Sequence, residues 1–139
     1  MDTAGAMSQE NVEIVRRAFA EFEQGNFWVP EAFDPSVRIE WLDPLGVVGV
    51  SETVGLERLG TTLRTWFESW DRLTMTAEQL IDAGDQVVVV AVWHGRGKTS
   101  GATTEWRFGQ VWTMREGRAI DLASYRDPAE ALEAAGLSE

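Results

Sequence analysis

Cysteine is absent from this 139-residue chain. That excludes disulfide staples, thiol nucleophiles and cysteine-ligated zinc. Histidine occurs once, as His94, which excludes the usual histidine-rich metal sites. Basic residues are scarce: 12 Lys and Arg stand against 23 Asp and Glu, a net charge of −11. A surface of that sign repels nucleic-acid phosphates and anionic membranes, so neither is expected as a partner. No stretch reaches the roughly 18 apolar residues of a membrane span, and the longest candidate, 87–93, suits a buried strand. The first residues carry no basic segment followed by an apolar one, so no signal peptide is expected and a cytoplasmic location is the default. There is no repeat, linker, Gly-rich phosphate loop, Ser-His-Asp order or metal-ligand spacing.

What is present is size and aromatic bulk. The length fits one domain, expected over residues 8–137 behind a disordered arm at 1–7. Folding can bury roughly two-thirds of the unfolded surface, so a core needs no staple. Seven tryptophans accompany six phenylalanines and one tyrosine. These rings can fill a core, line a cavity or build an interface.

Ser8 offers an N-cap, and Val12, Val15, Phe19 and Phe22 recur at helical steps, which predicts a helix over 8–24 stopped by Gly25. A short second helix is expected at 27–33. Residues 37–43 read as a strand, with Val37, Ile39, Trp41 and Asp43 on one face and Arg38, Glu40 and Leu42 on the other. Residues 44–54 read as a loop, and Leu56, Leu59, Leu63, Trp66, Phe67 and Trp70 mark an amphipathic helix. Period-two patterning then predicts strands at 72–82, 86–97, 103–115 and 118–126, with tight turns at Ala83-Gly84-Asp85 and Glu116-Gly117. Asp127-Pro128-Ala129-Glu130 predicts a capped final helix ended by Gly136.

Helices first and a strand meander after give an α+β fold rather than a parallel βαβ fold. Residues 86–92 are apolar on both faces, and which face turns inward is open. The second face needs cover, and a homodimer through the sheet is the expected source.

Four polar groups are candidates for chemistry. Asp43 ends an apolar strand face; at the lip of a dry cavity its pKa would rise, suiting it to proton abstraction beside a carbonyl. The alternative is ordinary Asp-Pro turn chemistry. Gln110 shares a stripe with Trp106, Phe108, Trp112 and Met114, and either meets a ligand oxygen or sits satisfied in a core. His94 follows Val88, Val90 and Val92, and is either a proton shuttle or a structural hydrogen bonder. Tyr125 either donates to a ligand or locks the last helix. No reading requires a cofactor.

The run Val12-Glu13-Ile14-Val15-Arg16-Arg17-Ala18-Phe19, the segment Trp66-Phe67-Glu68-Ser69-Trp70, and Val111-Trp112-Thr113-Met114-Arg115-Glu116-Gly117-Arg118 together resemble the SnoaL-like proteins. These belong to the nuclear transport factor 2-like superfamily. Tyr125-Arg126-Asp127 and the 131–137 tail extend the likeness over nearly the whole chain. The resemblance implies a cone-shaped, strongly curved, mainly antiparallel sheet wrapped around the N-terminal helices, with a short C-terminal helix. It implies a pocket for a small hydrophobic molecule, lined by Phe19, Trp41, Trp66, Trp106, Phe108, Trp112 and Tyr125. The run Ile39-Glu40-Trp41-Leu42-Asp43-Pro44-Leu45-Gly46 is similar to the segment that carries the general base of ketosteroid isomerases, which implies that role for Asp43. Those isomerases have a tyrosine on the first helix, where this chain has Ala18 or Phe19, and an aspartic acid where it has Gln110. A steroid isomerase proper is therefore not expected.

Three readings follow. The first is a pocket for a small hydrophobic molecule, with isomerase- or cyclase-type proton transfer by Asp43 assisted by Gln110 and His94. The second is a binding or dimerisation module without chemistry. The third is epoxide hydrolysis, for which Arg96 and Arg107 are the available arginines.

Overall fold

The computed structural model describes residues 3–41 and 52–137. Helix α1 (Thr3–Phe22) leads through a 3-10 turn at Pro30–Ala32 into strand β1 (Phe33–Glu40). Strand β2 (Glu52–Val54) precedes helix α2 (Leu56–Ser69), and the meander β3 (Trp70–Ala83), β4 (Gln86–Gly97), β5 (Thr103–Arg115) and β6 (Arg118–Tyr125) follows. Helix α3 (Pro128–Ala134) closes the chain.

The six strands form one sheet in the order β2-β1-β6-β5-β4-β3. All neighbours are antiparallel except β1 and β6, which run parallel. The sheet is strongly curved and unclosed. Irregular register supplies bends, with Glu78 extra on β3 between Ala77 and Gln79 and Ile120 extra on β6 opposite Thr113 and Met114, since an extra residue on one strand kinks it and increases its twist. The expected α+β cone is thus the observed architecture.

Strand boundaries in the meander fall within two residues of expectation, because period-two patterning and turn chemistry agree there. Glu116 and Gly117 both have positive φ, 51° and 80°, the pairing that a two-residue hairpin turn requires. Four elements differ, one of them strand β2, whose Glu52–Val54 lie within the expected loop 44–54 and pair with β1. The first helix starts at Thr3, inside the segment expected to be an arm; Ala4, Ala6 and Met7 are good helix formers. Ser8 is therefore no N-cap: its hydroxyl donates to Asp82 Oδ2 on β3 at 2.9 Å. The expected second helix is only the 3-10 turn, and β1 starts already at Phe33.

The inward face of β4 carries Val87, Val89, Ala91 and Trp93, packed in one core with Val15, Phe19 and Phe22 of α1. The opposite face carries Val88, which clusters with Val111 of β5 and Ala131 of α3. The second apolar face thus has cover from within the chain. Asp127 caps α3: Ala129 N–H donates to its Oδ1 at 2.9 Å, and Glu130 Oε1 accepts from Asp127 N–H at 3.2 Å. The helix lies tight on Gly109, where an added Cβ would stand 2.7 Å from Ala131 Cβ and 2.9 Å from Pro128 Cα.

Candidate functional site

The concave side of the sheet and helix α2 enclose a cavity of about 80 Å³. Its wall is aromatic because inward parity brings Trp41 after β1, Trp93 on β4, and Trp106 and Phe108 on β5 to one place, opposite Leu59, Leu63 and Trp66 of α2. The rings brace one another: Trp66 meets Trp93 edge to face at 4.6 Å and lies 5.8 Å from Trp41. Phe22 stacks on Phe27 at 5.1 Å and 9°.

Two polar side chains, Gln110 and Ser124, are part of this wall, and no ionisable residue among the described ones is. Gln110 is 6 % exposed. Its Oε1 accepts a hydrogen bond from Trp112 Nε1–H at 2.9 Å. Trp112 is fully buried behind the wall, its ring 5.4 Å from that of Phe33 and near-parallel to it. Trp41 Nε1–H donates to Thr53 Oγ1 at 3.1 Å, tying the end of β1 to β2. The Trp66 indole N–H is buried without an acceptor among the described residues.

Of the residues expected around a pocket, Trp41, Trp66, Trp106, Phe108 and Gln110 come together at the cavity. Phe19 and Trp112 are core residues one layer behind it. Tyr125 lies on the other face of the sheet, in the cluster that holds α3. Burial there and the negative charge of Glu40 push its phenol above its ordinary pKa. Tyr125 is not part of the cavity wall: adjacent strand residues face opposite ways, and Ser124 takes the inward position. Asp43 lies outside the described residues.

His94 is likewise on the outer face and is not part of the cavity wall. Its Nδ1 stands 3.0 Å from Glu105 Oε2, and Thr76 Oγ1 is 3.5 Å from its Nε2. Arg96 pairs with Asp71 at 2.6 Å and Arg107 with Glu78 at 2.7 Å, both exposed, so neither arginine of the epoxide-hydrolase reading is in the cavity wall. Arg38, also outward, binds Asp121 at 2.9 Å and Glu52, bonds that hold its guanidinium pKa above even its usual range. Among the described residues no three of His, Asp and Glu form a metal-binding group, and no helix is long and apolar enough to cross a membrane.

Sequence reasoning missed Trp93, Ser124, Met75 and Phe27 as wall residues. Trp93 had a usable signal, its parity with Val87, Val89 and Ala91. That parity decides nothing until one face is known to be inward, because Val88, Val90 and Val92 are equally apolar. Ser124 could have been found from its parity with Leu122.

The model of the SnoaL-like domain family matches residues 15–122. No curated protein matches the sequence significantly. Among solved structures, the chain is similar to an NTF2-like protein of unknown function from Burkholderia pseudomallei, with a TM-score of 0.75 and 21% identity over 89% of this chain and 95% of that one. It is similar to TerC, co-crystallised with polyporic acid, with a TM-score of 0.73 and 21% identity over 91% and 98% of the two chains. A protein described as a SnoaL-like polyketide cyclase, from Jannaschia sp., gives a TM-score of 0.70 and 22% identity over 94% of both chains. At these identities the structures share the fold, and the family match spans most of the sequence, so the chain belongs to the SnoaL-like domain family.

Proposed function

We propose that this protein binds a small, neutral, hydrophobic molecule in the cavity between the sheet and α2. The observation that carries the reading is the wall itself: four tryptophans, further apolar groups and, among the described residues, only Gln110 and Ser124 for polar contact. A charged guest would lose its hydration there with no countercharge among the described residues. The cavity of about 80 Å³ is smaller than the usual range of ligand sites, roughly 300–1,000 Å³. A guest of one ring therefore enters only as lining side chains shift. The co-crystallisation of TerC with polyporic acid supports binding as a use of this fold.

Methylenecyclohexane is a suitable first probe. Its titration should move the indole N–H resonances of Trp41, Trp66, Trp93 and Trp106 in NMR spectra. Trp28, 46 % exposed on the outside, serves as the reference. Shifts at Trp28 alone, or none, contradict the reading.

Proton transfer is the second reading. Val37 and Ile39 are buried inward and Trp41 reaches the cavity wall; the base in this reading is Asp43, two residues further along the chain. The carboxylate would take an α-proton from a bound ketone, leaving an enolate, and return a proton to the same carbon. In D2O the protein should then accelerate α-deuteration of cyclohexanone, and Asp43→Asn should fall to the background rate. Equal exchange by the variant removes Asp43 from the reaction.

Self-association is a separate proposal. With α3 over Val88 and Val111, a dimer through the sheet would use the more polar part of that face, around His94 and Arg107. Sedimentation at micromolar concentration measures it: a dimer is the expected species, and a monomer removes the proposal.

A further inference from the structure

Gln110 and Trp112 stand two residues apart on β5, so both point inward, and only Gln110 reaches the cavity wall. An indole nitrogen donates and never accepts. The 2.9 Å bond from Trp112 Nε1–H therefore fixes which end of the amide faces it: the oxygen. The amide NH2 of Gln110 has no hydrogen-bond partner among the described residues. A second donor, the Trp66 N–H, is buried at the same wall without an acceptor among the described residues, in a side chain 4 % exposed. The Trp41 N–H is already engaged by Thr53, and no carboxylate among the described residues lines the wall. Among the described residues the polar inventory of the wall is thus weighted toward donors, with the Ser124 hydroxyl able to act either way, and a guest that supplies an acceptor oxygen suits it.

We infer that Trp112 is a positioning residue that holds the Gln110 amide with its NH2 turned to the cavity, so that the site selects neutral guests carrying a carbonyl-type acceptor oxygen. The inference deepens the binding reading and rests on it. Without the indole donor, the amide can turn over and present its own oxygen to the guest, where it repels a carbonyl. Trp112 acts through Gln110 and touches no guest itself.

Cyclohexanone and methylenecyclohexane have nearly the same shape and differ in C=O against C=CH2. The ratio of their dissociation constants, from NMR titration of the whole chain, reads the hydrogen bond alone, because a change in cavity shape affects both guests alike. Trp112→Phe and Gln110→Leu should each lower the preference for the ketone about fivefold relative to the parent protein, the scale of one neutral hydrogen bond. In the parent protein cyclohexanone should also shift the Gln110 NH2 resonances, and methylenecyclohexane should not. That second measurement decides the matter if Trp112→Phe fails to fold. An unchanged ratio in Trp112→Phe, or equal NH2 shifts from both guests, overturns the inference while leaving binding intact. If neither guest binds the parent protein, the binding reading falls and the inference with it.

Discussion

Gly109 of β5 and Ala131 of α3 approach so closely that a methyl group on Gly109 would stand 2.7 Å from Ala131 Cβ. The missing side chain is what lets α3 seat on the outer face of the sheet and bury Val88 and Val111. Because Pro128 Cα is nearly as close, at 2.9 Å, the clash cannot be relieved by a side-chain rotation. Gly109→Ala should destabilise the fold by about 1–3 kcal/mol, the usual range for overpacking. Denaturant melts measure this. An unchanged midpoint would mean that α3 does not hold this position.

Trp66 and Trp112 carry the same ring in different hydrogen-bonding states, and their Phe variants should separate accordingly. Trp66→Phe removes an N–H that has no acceptor among the described residues, so its loss relieves a buried donor and offsets part of the lost packing. Trp112→Phe strips Gln110 Oε1 of its donor in a buried site. Trp112→Phe should cost about 1–2 kcal/mol more than Trp66→Phe. Equal losses would count against the bond's contribution.

Tyr125 supplies a pH dependence. Burial and then the charge of Glu40 raise its folded-state pKa above the ordinary value of 10.0. The folded state thus holds the phenol proton more tightly than the unfolded chain. The stability this contributes is complete below pH 10, and is lost as pH rises from there through the raised folded value. Tyr125→Phe should therefore lose less stability than the parent between pH 9 and about 11. Parallel losses in both proteins would contradict the burial of the phenol.

His94 pairs with Glu105 on the face away from the cavity. His94→Gln should change cyclohexanone affinity less than about twofold, the behaviour of a surface substitution far from the site. A larger loss would place the guest on the outer face.

The sequence-to-structure relationship is uneven, and the reasons are physical. Strands β4 and β5 begin and end where the patterning placed them, since alternation along a strand and Gly-rich turns are local signals. The inward stripe of Trp106, Phe108 and Gln110 was legible for the same reason. Which face of β4 turns inward was not, because both are apolar and the choice depends on where α1 and α3 land. The same long-range choice sends His94 and Tyr125 outward. The role of Gly109 exists only once α3 is packed on it, so no local pattern announces it.

Intermolecular NOEs between bound cyclohexanone and assigned protein protons test the central claim most directly. Cross-peaks from the guest's ring protons to the aromatic protons of Trp66, Trp93 and Phe108 and to the Gln110 NH2 are predicted. Cross-peaks confined to Trp28 or to the side chains around His94, with none to the cavity wall, would contradict a binding site inside the cone.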